Sequence, residues 1–301
     1  MTTQAADRDT LGIPAVAVRR TAGEWLALLA GRAGLHLALV VLTLIWLVPT
    51  VGLLVTSFRP KGDILGSGWW TILAHPDLTL ANYTNVIVSK GMGHAFVNSL
   101  AITIPATLLP VLIAALAAFA FAWIPFPGRD WMFLSVIALL VIPIQMTFVP
   151  VLQLLNPLGL TKSYAGIWLA HTAFGLPFAI FLLRNFFILL PGDLIESARI
   201  DGANNLSIFF RIIIPLSVPA LASLIIFQFL GVWNDLLMAL VFIQDPNARP
   251  LTVAISGLQS TYGVEWDLLS AGAFVLMLVP LIVFFSLQRY FVQGLLAGSV
   301  K

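Results

Sequence analysis

"ESARIDGANNLSIFFRIIIP", residues 196–215, is the stretch on which the reading of this chain turns. Glu196, Arg199 and Asp201 crowd together there and Gly202 follows, yet the apolar runs on either side, residues 163–183 and 212–234, contain no Asp, Glu, Lys or Arg. Four more runs share that property: residues 33–58, 91–128, 131–161 and 268–288. Each is long enough to meet the requirement of about 20 residues for a helix that crosses hydrocarbon. Transmembrane strands would instead alternate apolar and polar residues over about ten positions. With hydrophobic residues at 60%, charged residues at 9% and a mean hydropathy of +1.01, the chain is too apolar for an ordinary soluble domain. The expected fold is an all-α membrane protein of six transmembrane helices, with a short helix between the fourth and fifth.

Six crossings place both termini on one side. Assigning the basic residues to the two sides gives ten on the terminal side and five on the other, and the positive-inside bias then makes the termini cytoplasmic. Residues 1–32 read as a cytoplasmic leader without a short apolar core and cleavage site. Residues 33–290 read as the six-span domain, with the polar link at about 189–211, and residues 291–301 as a cytoplasmic tail. The outer loop after the first run carries Trp69, Trp70 and Tyr83, whose rings suit a membrane interface. The net charge of +2 restates the topological bias and gives no reason to expect nucleic-acid binding. Cysteine is absent, which excludes disulfides and thiolate metal sites.

The polar link is written as structure. Pro191 and Gly192 stop the preceding helix, Asp193 is placed to cap the next, and Glu196 stands where a capping-box carboxylate reaches back. A helix over residues 194–201, about 12 Å long, is expected to end at Gly202 in the left-handed conformation. Asn204 and Asn205 favour a turn, and "LSIFFRIII" starts a second helix into the membrane. Small Ser197, Ala198 and Ala203 around Gly202 would let another backbone approach, with Glu196, Arg199 and Asp201 offering polar pairing. The same residues could instead serve only to pack the elbow between two spans.

This stretch resembles the cytoplasmic loop of the membrane subunits of bacterial ABC importers, whose pattern is Glu-Ala-Ala, three residues, Gly, nine residues, then Ile-x-Leu-Pro. Glu196, Ser197, Ala198, Gly202, Ile212 and Pro215 stand at that spacing, with Ser197 in place of the first Ala and Ile214 in place of Leu. "IDGA" at 200–203, "GVWND" at 231–235 and "QRYFVQGLLAGSVK" at 288–301 resemble the maltose-type carbohydrate branch. The resemblance implies that Glu196, Ser197, Ala198, Asp201, Gly202, Ala203, Ile212 and Pro215 form a coupling surface for a cytoplasmic ATPase. It implies tail contacts with that ATPase through Gly294 and Gly298. It also implies a sister permease subunit, a pair of ATPase subunits holding ATP and Mg, an extracytoplasmic solute-binding protein and a bacterial inner-membrane location. The chain has no G-x-x-x-x-G-K-[ST] phosphate loop, so the ATPase is expected to be another polypeptide, no cofactor is expected on this chain, and the chain itself is expected not to be an enzyme.

Polar groups within or beside the runs are candidates for a solute pathway: Gln145, Gln228, Trp233, Asn234 and Asp235. Amides and an indole suit sugar hydroxyls, but helix bundles also use amides to join helices. A carboxylate deep in a bilayer costs a few kcal/mol, so Asp235 should face protein, a cavity or an interface. Glu196 and Asp201, on one short helix without a cleft, do not make a two-carboxylate glycosidase site. His75, His94 and His171 lack metal-ligand spacing. The competing reading, a self-contained secondary transporter or channel, would need intramembrane charges or half-helix sites, and the runs are nearly free of charge.

Overall fold

The computed structural model describes residues 22–260 and 263–297, with side chains described from 33 to 289 apart from 162 and 260–263. Eleven principal helices are labelled here in chain order: α1 Ala22–Phe58, α2 Met92–Trp123, α3 Arg129–Val141, α4 Ile144–Leu155, α5 Tyr164–Phe187, α6 Gly192–Ile200, α7 Asn205–Leu216, α8 Val218–Trp233, α9 Leu237–Phe242, α10 Leu251–Ser256 and α11 Trp266–Ala297. Short helical turns fill the link between α1 and α2. Before α11 a two-residue antiparallel pair, Gln259–Ser260 with Gly263–Val264, appears that the apolar pattern gave no sign of. By its contacts the chain divides into two units, Met1–Leu53 and Leu54–Lys301. The described part of the first unit is the body of α1, which runs without a break across the expected boundary at residue 32.

Among the described residues four helices are long and apolar enough to cross a membrane: Ala33–Phe58 within α1, α2, α5, and Trp266–Arg289 within α11. The third and fifth expected spans are not straight. The pair α3 and α4 bends by 105°, and the pair α7 and α8 by 77°, so the count reaches six if each bent pair is one crossing. At the first break Pro143 caps α4 and holds Ile142 extended at φ −76° and ψ 120°, as a residue before proline prefers. The second break falls at the fully buried Ser217, between Pro215 and Pro219.

The second unit is assembled around α2 and α5. Ala106, Ala114 and Ala118 of α2 are fully buried, as are Ala170 and Ala179 of α5 to within 1%. Such small side chains let two helix backbones come close where lipid supplies no hydrophobic drive. Three buried layers follow one another along α2: one around Met92 and Ala95, a middle one around Ile102 and Ala106, and one from Val111 to Phe121 that also takes in residues of α5, α6, α7 and α8.

Pro105, Pro110 and Pro280, three of the prolines inside the described helices, remove the N–H that would bond to the carbonyl four residues earlier. A donor from a neighbouring helix meets each freed carbonyl. Pro105 frees Ala101, whose oxygen accepts from Trp168 Nε1 at 3.1 Å. Pro110 frees Ala106, which accepts from Gln228 Nε2 at 3.4 Å. Pro280 frees Leu276, which accepts from Trp233 Nε1 at 2.9 Å. These pairs give the three freed carbonyls a partner in a medium that supplies no water to them.

Candidate functional site

The polar link begins where two span helices end. Trp123, the last residue of α2, donates its Nε1–H to the carbonyl of Phe187, the last residue of α5, at 3.0 Å. Two residues of α6 return to this corner. Gly192 faces the Trp123 ring, and Arg199 Nη2 donates to the Trp123 carbonyl at 2.8 Å. A guanidinium on a terminal carbonyl satisfies an orphan acceptor and suits the negative end of a helix dipole.

Pro191, not Asp193, is the N-cap of α6, and no side-chain cap bond forms. Proline's fixed φ already provides the extended entry, so the helix starts at Gly192. Asp193 falls in its first turn, and the capping box expected with Glu196 is absent. The C-terminus agrees with the sequence reading. Gly202 sits at φ +81°, the Gly202 N–H bonds to the Arg199 carbonyl at 3.0 Å, and the Ala203 N–H bonds to the Ala198 carbonyl at 2.9 Å. This pairing is a Schellman motif, and it requires a residue that accepts positive φ. Asn204 then caps α7, accepting from the Ser207 N–H at 2.8 Å, and a π turn at Phe209–Ile213 leads towards the membrane.

The helix has two faces. Ile195 is 1% exposed and packs in the layer with Phe119, Phe121, Leu183 and Phe187, with Ala198 and Ala203 against the same layer. Ala198 and Ala203, each partly exposed, pack their covered side against this layer. Glu196, Ser197, Asp201 and Gly202 are exposed, and Ile200 stands out at 86% exposure. Ile212 is half-buried and Pro215 exposed along α7. Sequence reasoning missed Ile195 and the role of Arg199. The i, i+3 spacing of Ile195 and Ala198 was the available signal for an inner face.

The pathway candidates do not converge. Gln228 faces α2 through the bond to Ala106, and Gly175 of α5 leaves room for its amide, since a Cβ there would lie 2.8 Å from Nε2. Trp233 is 2% exposed, stacked on Phe229 at 5.7 Å and edge-on to Phe96 at 5.9 Å, so its ring is covered by protein. Asn234 is exposed and returns its amide to the Leu230 carbonyl at 2.9 Å. Asp235 accepts from the Met238 N–H at 3.2 Å, starting α9. His171 of α5 brings Nε2 within 3.6 Å of the Asp235 carboxylate. Gln145 is exposed just past the α3–α4 bend, beside an apolar cavity of about 230 Å³ lined by Leu140, Ile142, Ile144, Phe174 and Pro177 among others. Gly294 lies on the backbone of α11, its surroundings outside the described residues, as is Gly298 altogether. Among the described residues no group of three or more His, Asp or Glu could hold a metal ion.

Residues 110–296 match the family described as the inner membrane component of binding-protein-dependent transport systems. The chain belongs to this family. It is a permease subunit of an ABC importer and not an enzyme; ATP hydrolysis belongs to a separate subunit. It is 53% identical over 272 residues, 89% of this chain and 91% of the relative, to the osmoprotective compounds uptake permease protein GgtD of Synechocystis sp.. It is 39% identical to the alpha-glucoside transport system permease protein AglG of Rhizobium meliloti, over 88% of this chain and 96% of that one. Among solved structures, a chain of a bacterial ABC transporter that imports the acidic polysaccharide alginate superposes with a TM-score of 0.64. It shares 17% identity, over 90% of this chain and 99% of that chain, so the likeness speaks for the fold alone.

Proposed function

We propose that this importer carries a carbohydrate or a related small polyol or glycoside, and that α6 transmits the ATPase cycle to the pathway. In this reading the chain pairs with a sister permease, two ATPase subunits that bind ATP and Mg, and an extracytoplasmic binding protein, and both termini are cytoplasmic. One observation carries the mechanism: α6 presents Glu196, Ser197, Ile200 and Asp201 outward, while Ile195 and Arg199 fix its other face to the ends of α2 and α5. A push on the outer face then moves two span helices as one body. ATP binding would close the ATPase pair and bias the assembly towards one of two states; hydrolysis would release it. Gly294 and Gly298 would extend the same contact from the tail. The covered Trp233 and engaged Gln228 would shape the pathway wall indirectly, leaving Gln145, Asn234 and Asp235 as the side chains a solute could meet.

The names of the relatives favour α-glucosides and small osmoprotective solutes over acidic polysaccharides. Reconstituting the assembly with its binding protein and measuring solute-stimulated ATP hydrolysis over α-glucosides, osmoprotective polyol glycosides and alginate oligosaccharides tests this. Stimulation by alginate oligosaccharides alone would overturn the substrate class.

A further inference from the structure

The segment between α1 and α2 is tied down at the last turn of the α1 span. The Thr79 N–H bonds to the Phe58 carbonyl at 2.6 Å. Asn82 Nδ2 donates to the Ser57 carbonyl at 3.0 Å and the Arg59 carbonyl at 2.8 Å. The Ser57 and Tyr83 hydroxyls lie 2.8 Å apart, and Phe58 and Tyr83 pack ring to ring at 5.1 Å. Both ends of the loop over residues 59–80 thus meet at the level where an apolar span stops.

Arg59, only 3% exposed, orders what lies between. Its guanidinium donates to the carbonyls of Asp63 at 3.0 Å and Ser67 at 3.2 Å, and to the hydroxyls of Ser67 at 2.6 Å and Thr71 at 3.2 Å. The indole of Trp70 folds over Gly68, where a Cβ would lie 2.3 Å from the ring. On this ordered loop large apolar side chains stand uncovered: Leu65 at 74%, Trp70 at 63%, Leu73 at 92%, Leu78 at 64% and Leu80 at 67% exposure. A water-facing loop pinned this firmly would not hold so many exposed apolar groups without a partner. Tryptophan and leucine at the end of a span are what the headgroup boundary takes up. The coupling corner at Trp123 lies at the other end of α2, roughly 48 Å away at 1.5 Å per residue.

We propose that residues 61–80 form an interfacial plate lying in the lipid leaflet opposite the coupling loop, with Leu65, Trp70 and Leu73 entering the headgroup and upper acyl region. The occupant is lipid because the loop is continuous with, and hydrogen-bonded to, the end of a membrane span. The plate fixes the depth of the last turn of α1 at Ser57 and Phe58 and, through Asn82 and Tyr83, the approach to α2.

The chain has no cysteine, so single spin labels can be placed at Leu65→Cys, Leu73→Cys and Leu78→Cys, with Lys61→Cys as the polar reference. The complete importer is reconstituted in nanodiscs of phosphatidylethanolamine and phosphatidylglycerol. Collision with oxygen is expected to exceed collision with a water-soluble nickel chelate at Leu65 and Leu73, and the order to reverse at Lys61. Chelate access at Leu65 and Leu73 equal to that at Lys61 would overturn the proposal. So would protection that arises only when the solute-binding protein is added, which would make the face a protein-docking surface. Because the labelled leucines are exposed, the variants keep the loop's internal bonds; loss of the oxygen preference at Leu73→Cys when Asn82→Ala removes the side-chain bonds to the Ser57 and Arg59 carbonyls would show that pinning sets the depth.

Discussion

The pairing of Trp233 with Pro280 can be isolated by a double-mutant cycle. Trp233→Phe removes the N–H that meets the Leu276 carbonyl at 2.9 Å and also trims a buried ring. Pro280→Ala returns a backbone N–H to that same carbonyl, so the indole donor is no longer its sole partner. The loss of ring volume is common to both backgrounds and cancels in the cycle. Interhelical hydrogen bonds in membrane proteins contribute about 0.6 kcal/mol on average and up to roughly 1.7. With good length and a fully buried donor, the coupling here is expected at about 1 kcal/mol, or roughly fivefold in the unfolding equilibrium. The assay is reversible unfolding of the purified chain in mixed micelles by graded SDS, read by circular dichroism. Trp233→Phe is expected to destabilise the native background more than the Pro280→Ala background by that amount. Additivity to within about 0.3 kcal/mol would refute the idea that the indole stands in for the missing proline N–H.

Four further outcomes follow from the same geometry. Gly202→Ala meets no neighbour within 4 Å, so its cost is that of positive φ, about 1–2 kcal/mol; hydrogen exchange at Gly202 and Ala203 should quicken roughly 5- to 30-fold, with Gly202→Asn in between. Ile195→Ala should lower chain stability by about 2–5 kcal/mol, seen in the same SDS titration. Arg199→Gln removes the tie to the Trp123 carbonyl, and uptake should fall while ATP hydrolysis by the assembly persists. Asn98→Ala strips partners from the carbonyls of Asn247 and Arg249 and from the Tyr164 hydroxyl; the loop over residues 246–250 should become sensitive to limited proteolysis, with loss of about 1–3 kcal/mol.

Residues whose chemistry is local were legible in the sequence. Gly202 could be placed because a left-handed helix end strongly favours glycine, and α5 could be bounded because its charge-free run begins at Ser163 and ends before Arg184, with Pro191 a few residues beyond. The bends were not legible: Pro105, Pro110 and Pro280 sit inside continuous helices while Pro143 marks a 105° break. A proline's effect depends on what other helices place around it, such as the donors that meet the Ala101, Ala106 and Leu276 carbonyls, which no reading of one segment reveals. The same lack of neighbours explains Gln228 and Trp233, polar groups that looked like solute contacts and instead meet freed carbonyls. Asp193 was misplaced as a cap because Pro191 supplied the extended entry first. For Ala198 and Ala203 the size of the side chain leaves both an approach surface and elbow packing open, and only the face set by Ile195 shows which side of each is covered.

The account stands on the outer face of α6 being the surface that the ATPase grips. Single cysteines at Ser197 and Ile200, each paired with a scan of cysteines in the ATPase subunit, measure this directly by disulfide crosslinking in inverted membrane vesicles. Crosslinks at Ser197 and Ile200 that change in yield on adding ATP, with none at the inward-facing Ala198, are the predicted result. Crosslinking at Ala198 in preference to both, or labelling of Ser197 by an impermeant thiol reagent applied outside intact cells, would contradict it.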